Sequence, residues 1–86
     1  MIIDYHKHFI KSFSRADKKL QNKIIHSVDL FRKNPFDPSL KNHALKGSMQ
    51  GKRAFSVTGD VRIIFEEYQD YILVVMLDVG THNQVY

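Results

Sequence analysis

Residues 53–65 decide the fold of this chain, and their sequence is Arg53-Ala54-Phe55-Ser56-Val57-Thr58-Gly59-Asp60-Val61-Arg62-Ile63-Ile64-Phe65. The apolar side chains in this stretch recur at every second position, which is the period of a β-strand. They are Phe55 and Val57 in the first half, and Val61, Ile63 and Phe65 in the second. Between the two halves, residues 58–60 have the glycine and aspartate of a turn, so the stretch predicts a β-hairpin. Arg62 falls on the other face of the hairpin, together with Ile64 and Glu66.

The residues after the hairpin predict a third strand. A turn at Tyr68-Gln69-Asp70 is followed by residues 71–79, which are apolar on both faces. That pattern is typical of a strand that lies between two neighbours in a sheet. Together, the hairpin and this segment predict an antiparallel meander of three strands.

The residues before the hairpin predict one short strand and two helices. Ile2–Tyr5 has the composition of a strand, and residues 8–15 place their apolar side chains on one helical face. Asp17 is predicted to cap a second helix, Lys18–Lys33, because an aspartate oxygen accepts hydrogen bonds from the first free N–H groups of a helix. We expect that helix to end at Asn34, since the proline that follows disfavours helical geometry there.

Residues 36–51 predict a loop-rich connection. Within it, Ala44 and Leu45 are predicted to be buried and to hold His43 and Lys46 against the body of the domain. The order of elements is a strand, two helices and a three-stranded meander, which predicts a single α+β domain for the 86 residues. Its N-terminal strand and two helices would pack on a small, mainly antiparallel sheet.

The composition excludes several classes of protein. With 43% hydrophobic and 26% charged residues, the chain can form one core and is not intrinsically disordered. It has no cysteine, so neither disulfides nor thiolate metal sites hold the fold. The longest apolar run, residues 71–77, is too short to cross a bilayer, and the N-terminus lacks the apolar segment of a signal peptide. We therefore expect a cytoplasmic protein with no membrane partner.

The net charge of +4 is unevenly distributed along the chain. Residues 1–53 hold twelve Lys/Arg and four Asp/Glu, a net +8, whereas residues 54–86 hold one and five, a net −4. The stretch Lys41–Arg53 has no acidic residue and suits a polyanion, most simply a nucleic acid. The competing interpretation is a solvated basic face that keeps the protein soluble. The candidate RNA-binding residues of this stretch are Lys46, Lys52 and Arg53.

The reactive side chains suit the cleavage of a phosphodiester by the neighbouring 2′-hydroxyl. That reaction needs a base for the hydroxyl proton, an acid for the leaving oxygen and a cation for the charge on phosphorus. The side chains of these types near the predicted strands are His43, His82, Asp60 and Arg62. The chemistry requires no metal, and no cofactor is predicted. A competing interpretation of Arg62 is a salt bridge to Glu66 or Glu67.

The last eight residues, Val79–Tyr86, follow a predicted buried strand and contain reactive side chains. We expect Gly80 to turn the chain at the end of the strand and so to present His82 at the sheet edge. Tyr86 would offer a ring on which a nucleic-acid base can lie. The competing interpretation is that His82 only ends a strand and that Tyr86 packs against the sheet.

Four motifs occur in the second half of the chain. They are Asn42-His43-Ala44-Leu45-Lys46-Gly47, Gly51-x-Arg53, Val57-Thr58-Gly59-Asp60-Val61-Arg62-Ile63-Ile64-Phe65 and Gly80-Thr81-His82-x-x-x-Tyr86. Together they resemble the YafQ branch of the RelE toxin superfamily. The resemblance covers residues 38–86, whereas residues 1–37 match only in helix pattern and length.

The resemblance implies a toxin of a type II toxin–antitoxin pair with a RelE-like fold. Such a toxin would be an endoribonuclease that cuts messenger RNA on the ribosome without a metal ion. A cognate antitoxin would inhibit it, and operator DNA would be bound only through the antitoxin complex. By position, the resemblance implies that His82 is the main catalytic histidine and that His43 and Asp60 are candidate bases. It also implies that Tyr86 holds the substrate base. Arg62 resembles the phosphate-stabilising strand arginine of RelE-type members more than any residue of the YafQ type.

The chain departs from the YafQ branch at two positions. Ser56 stands where the branch tends to have a third histidine on the first hairpin strand, and Val61 replaces an aromatic residue after the aspartate. These departures leave open which side chain acts as the base and which as the acid.

Two other functions use the same scaffold or the same basic stretch. The ParE toxins of the superfamily bind DNA gyrase without cleaving RNA, and a fold by itself does not separate them from ribonucleases. A plain RNA-binding domain would use the stretch Lys41–Arg53 and would release no cleavage products. His82 and Arg62 favour the ribonuclease, since a protein that only binds has no chemical need for either.

Overall fold

The longest element of the computed structural model, which describes all residues from 1 to 86, is helix α2, Lys18–Lys33. Asp17 caps this helix, since its Oδ1 accepts a hydrogen bond from Leu20 N at 2.8 Å. The helix ends at Asn34, so both predicted ends are confirmed. Helix α1, Lys7–Arg15, precedes it. None of the helices has the length and apolar character that a membrane crossing requires.

Five strands form one mixed sheet. They are β1 (Ile2–Tyr5), β2 (His43–Ala44), β3 (Arg53–Ser56), β4 (Val61–Tyr68) and β5 (Leu73–Thr81), and the sheet order is β1-β5-β4-β3-β2. Strands β3, β4 and β5 are the predicted antiparallel meander, and β1 pairs with β5 in parallel. A short helix α3 (His82–Val85) follows β5, and two 3₁₀ turns, Pro38–Leu40 and Gly47–Met49, lie between α2 and β3. The predicted α+β fold with a mainly antiparallel sheet is confirmed.

The hydrophobic core lies between the two long helices and one face of the sheet. At its centre, the ring of Phe31 stacks on Phe55 with centroids 4.5 Å apart and meets Phe65 edge-on at 5.0 Å. Such ring pairs add to the stabilisation that comes from burying apolar area. Val61 and Ile63 also point into this core, as the alternation of the hairpin predicts. The residues between them therefore lie on the opposite face of the sheet.

The connection between α2 and β3 differs from the sequence prediction. His43 and Ala44 form the edge strand β2, which pairs with β3, where the sequence predicts a loop. Ala44 is exposed, so its predicted burial is wrong, and Leu45 is half-buried. The backbone hydrogen bonds of an edge strand hold His43, and the burial of its neighbours does not. A strand of two residues has no periodicity, which is why the apolar pattern does not reveal it.

The turn between β4 and β5 is longer than predicted. Gln69, Asp70 and Tyr71 have positive φ angles of 55°, 56° and 68°. Strand β5 therefore begins at Leu73, although the sequence predicts a start at residue 71. Left-handed backbone is uncommon for residues other than glycine. The Tyr71 ring nevertheless remains attached to the core region, because it meets Phe36 edge-on at a centroid distance of 5.2 Å.

Candidate active site

Arg62 lies on the sheet face opposite the helices. It is between Val61 and Ile63, which both point into the core, so its own side chain points away from the core. In the register of the sheet, Arg62 is directly opposite Ser56 of β3 and Gly80 of β5. The position predicted for this arginine is confirmed.

The guanidinium of Arg62 bends toward the turn at the end of the hairpin. Its Nη1 donates hydrogen bonds to the carbonyl oxygens of Thr58 at 3.0 Å and Val61 at 3.3 Å. It forms no ion pair with Glu66, Glu67 or any other carboxylate, so the salt bridge considered from the sequence is absent. Two carbonyl groups orient the guanidinium, and no protein anion neutralises it. This is the state in which an arginine can bind a phosphate.

Asp60 and His82 leave the sheet at the same end. Val61 of β4 and Thr81 of β5 are register partners. Asp60 directly precedes Val61, and His82 directly follows Thr81. Thr58 Oγ1 accepts a hydrogen bond from the backbone N–H of Asp60 at 3.2 Å, which shapes the turn. Asp60 itself is exposed. The candidate catalytic residues brought to this end of the sheet are Asp60, Arg62 and His82.

The C-terminal residues form helix α3, which folds back on β5. Gly80 lies within the strand and its φ is not positive, so the predicted role of this glycine in turning the chain is wrong. Its role is to allow close approach, because a Cβ at position 80 would lie 2.8 Å from Gln84 Oε1 and 3.2 Å from Val85 Cγ1. Gln84 Oε1 also accepts a hydrogen bond from Thr81 N at 2.8 Å. Thr81-x-x-Gln84 matches the sequence signature of a capping box, which is the signal that reveals this helix.

His82, the first residue of α3, contacts Tyr86, which directly follows the helix. They are four residues apart in the chain, and their ring centroids are 4.4 Å apart at an angle of 87°. Both residues are exposed. Helix α3, which bears His82, folds back over Gly80, and Gly80 is the register partner of Arg62.

The His43 ring faces a backbone carbonyl group. Its Nδ1 lies 2.8 Å from the carbonyl oxygen of Lys41, a residue with left-handed backbone at φ 51°. A carbonyl oxygen can only accept, so Nδ1 of the neutral ring carries the proton and Nε2 presents its lone pair. The ring is exposed, so Nε2 is accessible from solvent.

His43 stands apart from the other three candidate catalytic residues. His43 of β2 pairs with Ala54 of β3, and Ala54 pairs with Ile64 of β4. Ile64 is two residues further along β4 than Arg62. Two strand spacings and two residues place the Cα atoms of His43 and Arg62 about 12 Å apart on the same face. Their side chains make no hydrogen bond to each other. A substrate that contacts both residues must therefore lie across β3.

The predicted RNA-binding basic residues lie at the other end of β3. Lys46 and Lys52 flank the loop that connects β2 with β3, and that loop bends at two left-handed glycines, Gly47 with φ 65° and Gly51 with φ 91°. Lys46 is exposed and Lys52 is half-buried. Arg53 differs from both lysines, because its Nε donates a hydrogen bond within the protein.

Two shifted pKa values occur outside this site. Hydrogen bonds from the hydroxyl and the backbone N–H of Ser39 hold the pKa of the Asp37 carboxyl below its usual range. The negative charge of Glu66 raises the pKa of Tyr68, whose hydroxyl donates to that carboxylate at 3.2 Å. No candidate catalytic residue takes part in either interaction.

An apolar groove of about 580 Å³ runs between α1 and α2, on the other side of the domain. Seven of its ten lining residues are hydrophobic. Ile10 and Ile25 are each 56% exposed there, and contiguous apolar surface of this kind marks interaction sites. Residues 7–33, which include both helices, hold eight Lys/Arg and two Asp, a net +6. The groove is therefore apolar and its surroundings are basic.

Comparison with known protein families gives one match. The family described as the bacterial toxin of a type II toxin–antitoxin system, YafQ, matches residues 1–86. This chain belongs to that family. Among solved structures, YafQ from E. coli strain BL21(DE3) is similar, with a TM-score of 0.82 and 26% identity over 98% of this chain and 96% of the E. coli chain. The resemblance to the YafQ branch of the RelE superfamily is confirmed.

Two further solved structures extend the comparison. YafQ in the E. coli DinJ–YafQ toxin–antitoxin complex has a TM-score of 0.80 and 26% identity, and the match covers 98% of this chain and 94% of that one. A YoeB/ParE toxin from Agrobacterium tumefaciens has a TM-score of 0.78 at 19% identity, over 95% of this chain and 99% of that one, and shares the fold alone. A comparison with curated proteins found no match. The protein is thus a YafQ-family type II toxin with the superfamily fold.

Replacing Gly80 with alanine is expected to displace α3 without unfolding this YafQ-family toxin. The new methyl group would meet the Gln84 side chain and break its hydrogen bond to Thr81. Loss of this cap costs about 1 kcal/mol, and the lower conformational entropy of alanine offsets roughly 0.5–1 kcal/mol of that. Urea unfolding should therefore change little. Any activity that depends on His82 should fall by about 10²-fold, the cost of a displacement of about 1 Å.

Gly59→Ala is the matched control for this substitution. No atom lies within 4 Å of a Cβ built at position 59, and its φ is not positive. This control should keep both the stability and the activity of the natural protein. Equal activity of Gly59→Ala and Gly80→Ala would contradict the role of Gly80 in seating α3.

Proposed function

We propose that this toxin is an endoribonuclease that cuts messenger RNA on the ribosome. The observation that carries the proposal is the register pairing of Arg62, whose guanidinium has no carboxylate partner, with Gly80, the residue over which the helix that bears His82 folds. A cation for the phosphate and a group that transfers protons are the central requirements of phosphodiester cleavage. The ribosome as the place of cleavage follows from the resemblance to the RelE superfamily.

In the proposed reaction, the 2′-hydroxyl of one nucleotide attacks the adjacent phosphorus, and the 5′-oxygen of the next nucleotide leaves. A base removes the proton of the hydroxyl, and an acid donates a proton to the leaving oxygen. The products are a 2′,3′-cyclic phosphate and a 5′-hydroxyl. The base takes up one proton and the acid releases one, so two side chains complete the reaction without a cofactor.

We assign the acid to His82 and the base to His43. His43 Nδ1 donates to the Lys41 carbonyl and leaves a lone pair on Nε2, which is the form that a base needs. The two histidines belong to β2 and α3, on opposite sides of Arg62 across the sheet. In-line attack on a phosphate held at Arg62 needs the base and the acid on opposite sides. Asp60, at the same end of the sheet as His82, is the second candidate for the base.

The remaining basic and aromatic side chains bind the RNA in this proposal. Arg62 stabilises the additional negative charge that develops on phosphorus in the transition state. The exposed ring of Tyr86, beside His82, offers a face on which a base can stack. Lys46 and Lys52 extend the positive surface beyond His43 and hold the neighbouring phosphates.

Cleavage of a defined mRNA in a purified translation system tests this function. We expect new RNA 5′ ends that carry a hydroxyl, and matching 3′ ends that carry a cyclic phosphate. Inhibition of DNA gyrase supercoiling with the RNA intact would favour the ParE-like alternative. Salt-sensitive RNA binding with no cleavage products would favour a plain RNA-binding domain.

The proposal includes a cognate antitoxin that covers the groove between α1 and α2. In E. coli, YafQ forms a complex with the antitoxin DinJ. The groove of the present toxin exposes Ile10 and Ile25 within a basic surface. The partner that fits it is an amphipathic helix whose apolar face is flanked by acidic residues.

Replacing Ile25 with lysine is expected to weaken antitoxin binding by about 30-fold or more, the loss typical of a central apolar anchor. Ile25 is 56% exposed, so the fold of the toxin should remain intact. Isothermal titration calorimetry with the antitoxin measures the effect. Asn22→Lys is the control, because it adds the same charge to an exposed position of α2 outside the groove. Equal losses in both variants would show that net charge controls binding and that the groove does not.

A further inference from the structure

The side chain of Asn42, the residue directly before His43, connects its own segment to three other parts of the fold. Its Nδ2 donates hydrogen bonds to the Pro35 carbonyl oxygen and to the Tyr71 hydroxyl, both at 3.0 Å. Its Oδ1 accepts a hydrogen bond from Arg53 Nε at 2.9 Å. Both amide protons and one oxygen lone pair are therefore used, which also determines the orientation of the amide. The side chain is half-buried, where such bonds are least exposed to competition from water.

The partners of Asn42 belong to three different parts of the domain. Pro35 follows the end of α2, Arg53 begins β3, and Tyr71 lies in the turn between β4 and β5. The Tyr71 ring in turn lies 6.1 Å from the ring of Phe31, at the centre of the core. Asn42 is thus attached to the core on one side and to the sheet on the other.

Strand β2 has few other attachments. It consists of two exposed residues, His43 and Ala44, at the edge of the sheet, and each pairs with one residue of β3. A strand this short has little stability of its own. The only hydrogen bond of the His43 ring is to the Lys41 carbonyl, two residues away in the chain. Apart from the backbone pairing of β2 with β3, the side chain that joins this segment to the rest of the domain is that of Asn42, directly before His43.

We propose that Asn42 is a positioning residue for His43, with Arg53 and Tyr71 as its anchors. The inference rests on the proposed function in naming His43 as the base. Nε2 of His43 must come within hydrogen-bond distance of the 2′-hydroxyl to accept its proton. A displacement of about 1 Å at such a group lowers a rate by about 10²-fold. Arg53, which the sequence suggests as an RNA contact, acts in this arrangement through Asn42.

Three substitutions separate the bonds of this network. Asn42→Ala removes all of them, Asn42→Asp keeps the acceptor for Arg53 but loses both donors, and Tyr71→Phe removes one partner while the ring stays in place. We expect the kcat of RNA cleavage to fall by about 10²-fold in Asn42→Ala, and by less in the other two, with KM nearly unchanged. If Asn42→Ala does not fold, Asn42→Asp and Tyr71→Phe provide the same comparison.

The combination with His43→Ala distinguishes positioning from a general structural role. In the His43→Ala background, a substitution of Asn42 should lower kcat no further, because the positioned group is already absent. An equal loss in both backgrounds would overturn the inference, since Asn42 would then act on the fold or on the RNA and not through His43.

NMR of the His43 ring gives a result that does not depend on activity. Long-range ¹H–¹⁵N spectra should show the Nδ1–H tautomer in the natural protein and a mixture of both tautomers in the Asn42 variants. If the Asn42 variants show the tautomer mixture but the natural protein cleaves no RNA, Asn42 positions the His43 ring and the proposed function is refuted. An unchanged tautomer together with an unchanged kcat would overturn the positioning itself.

Discussion

Replacing His82 with alanine is expected to lower RNA cleavage by about 10²- to 10⁴-fold, the usual contribution of a general acid or base. The protein should stay folded, because His82 is exposed at the start of α3 and makes no core contact. Growth arrest on induction of the toxin should disappear with the cleavage. The measurement is the appearance of new RNA 5′ ends in a purified translation system, with circular dichroism as the check on folding.

Two control variants isolate the imidazole of His82. Asn83→Ala alters the neighbouring exposed residue of α3 and should arrest growth as the natural toxin does. Tyr86→Leu removes the ring that contacts His82 but keeps the imidazole, and so separates the contribution of the ring from that of the imidazole. We expect Tyr86→Leu to raise KM more than it lowers kcat. Growth arrest by His82→Ala at the level of Asn83→Ala would refute the catalytic assignment.

Arg62→Ala is expected to lower kcat by about 10²- to 10³-fold, the loss typical when a group that stabilises transition-state charge is removed. The guanidinium has no carboxylate partner, so its removal leaves no unpaired buried anion behind. Arg62→Lys should recover only part of the rate. A lysine ammonium keeps the charge, but it cannot donate to the Thr58 and Val61 carbonyls and bind a phosphate in the planar geometry of a guanidinium.

Lys23→Ala is the matched control for Arg62→Ala. It removes the same charge from an exposed position on α2, on the other side of the sheet. If both variants lost activity equally at several salt concentrations, Arg62 would contribute only to general attraction of RNA. A large loss of kcat confined to Arg62→Ala agrees with a direct contact between this arginine and the reacting phosphate.

Much of the fold follows from local pattern. The helix Lys18–Lys33 has the predicted ends because its start signal, Asp17, and its stop signal, Asn34-Pro35, act within one turn of the backbone. The hairpin face is equally local, since the alternation from Phe55 to Phe65 separates the side chains that enter the core from those on the face of Arg62. These features need no knowledge of distant contacts, so the sequence is sufficient to predict them.

The parts that the sequence mispredicts depend on contacts between distant segments. Strand β2 exists because His43 and Ala44 find a partner in β3, and two residues are too few to form a pattern. From the sequence alone, a glycine at position 80 predicts a turn at the end of the strand. In the structure it is needed because Gln84 and Val85 fold back on it, and that approach becomes visible only in three dimensions.

The sequence by itself determines which residues can perform the chemistry, because an imidazole, a carboxylate and a guanidinium are properties of single residues. It also determines the strands and helices that bear them, because apolar periodicity is local. Only the tertiary structure decides that Asp60, Arg62 and His82 share one end of the sheet while His43 lies across β3. The physical reason is strand register, since a shift of one residue would turn Arg62 into the core and separate it from α3.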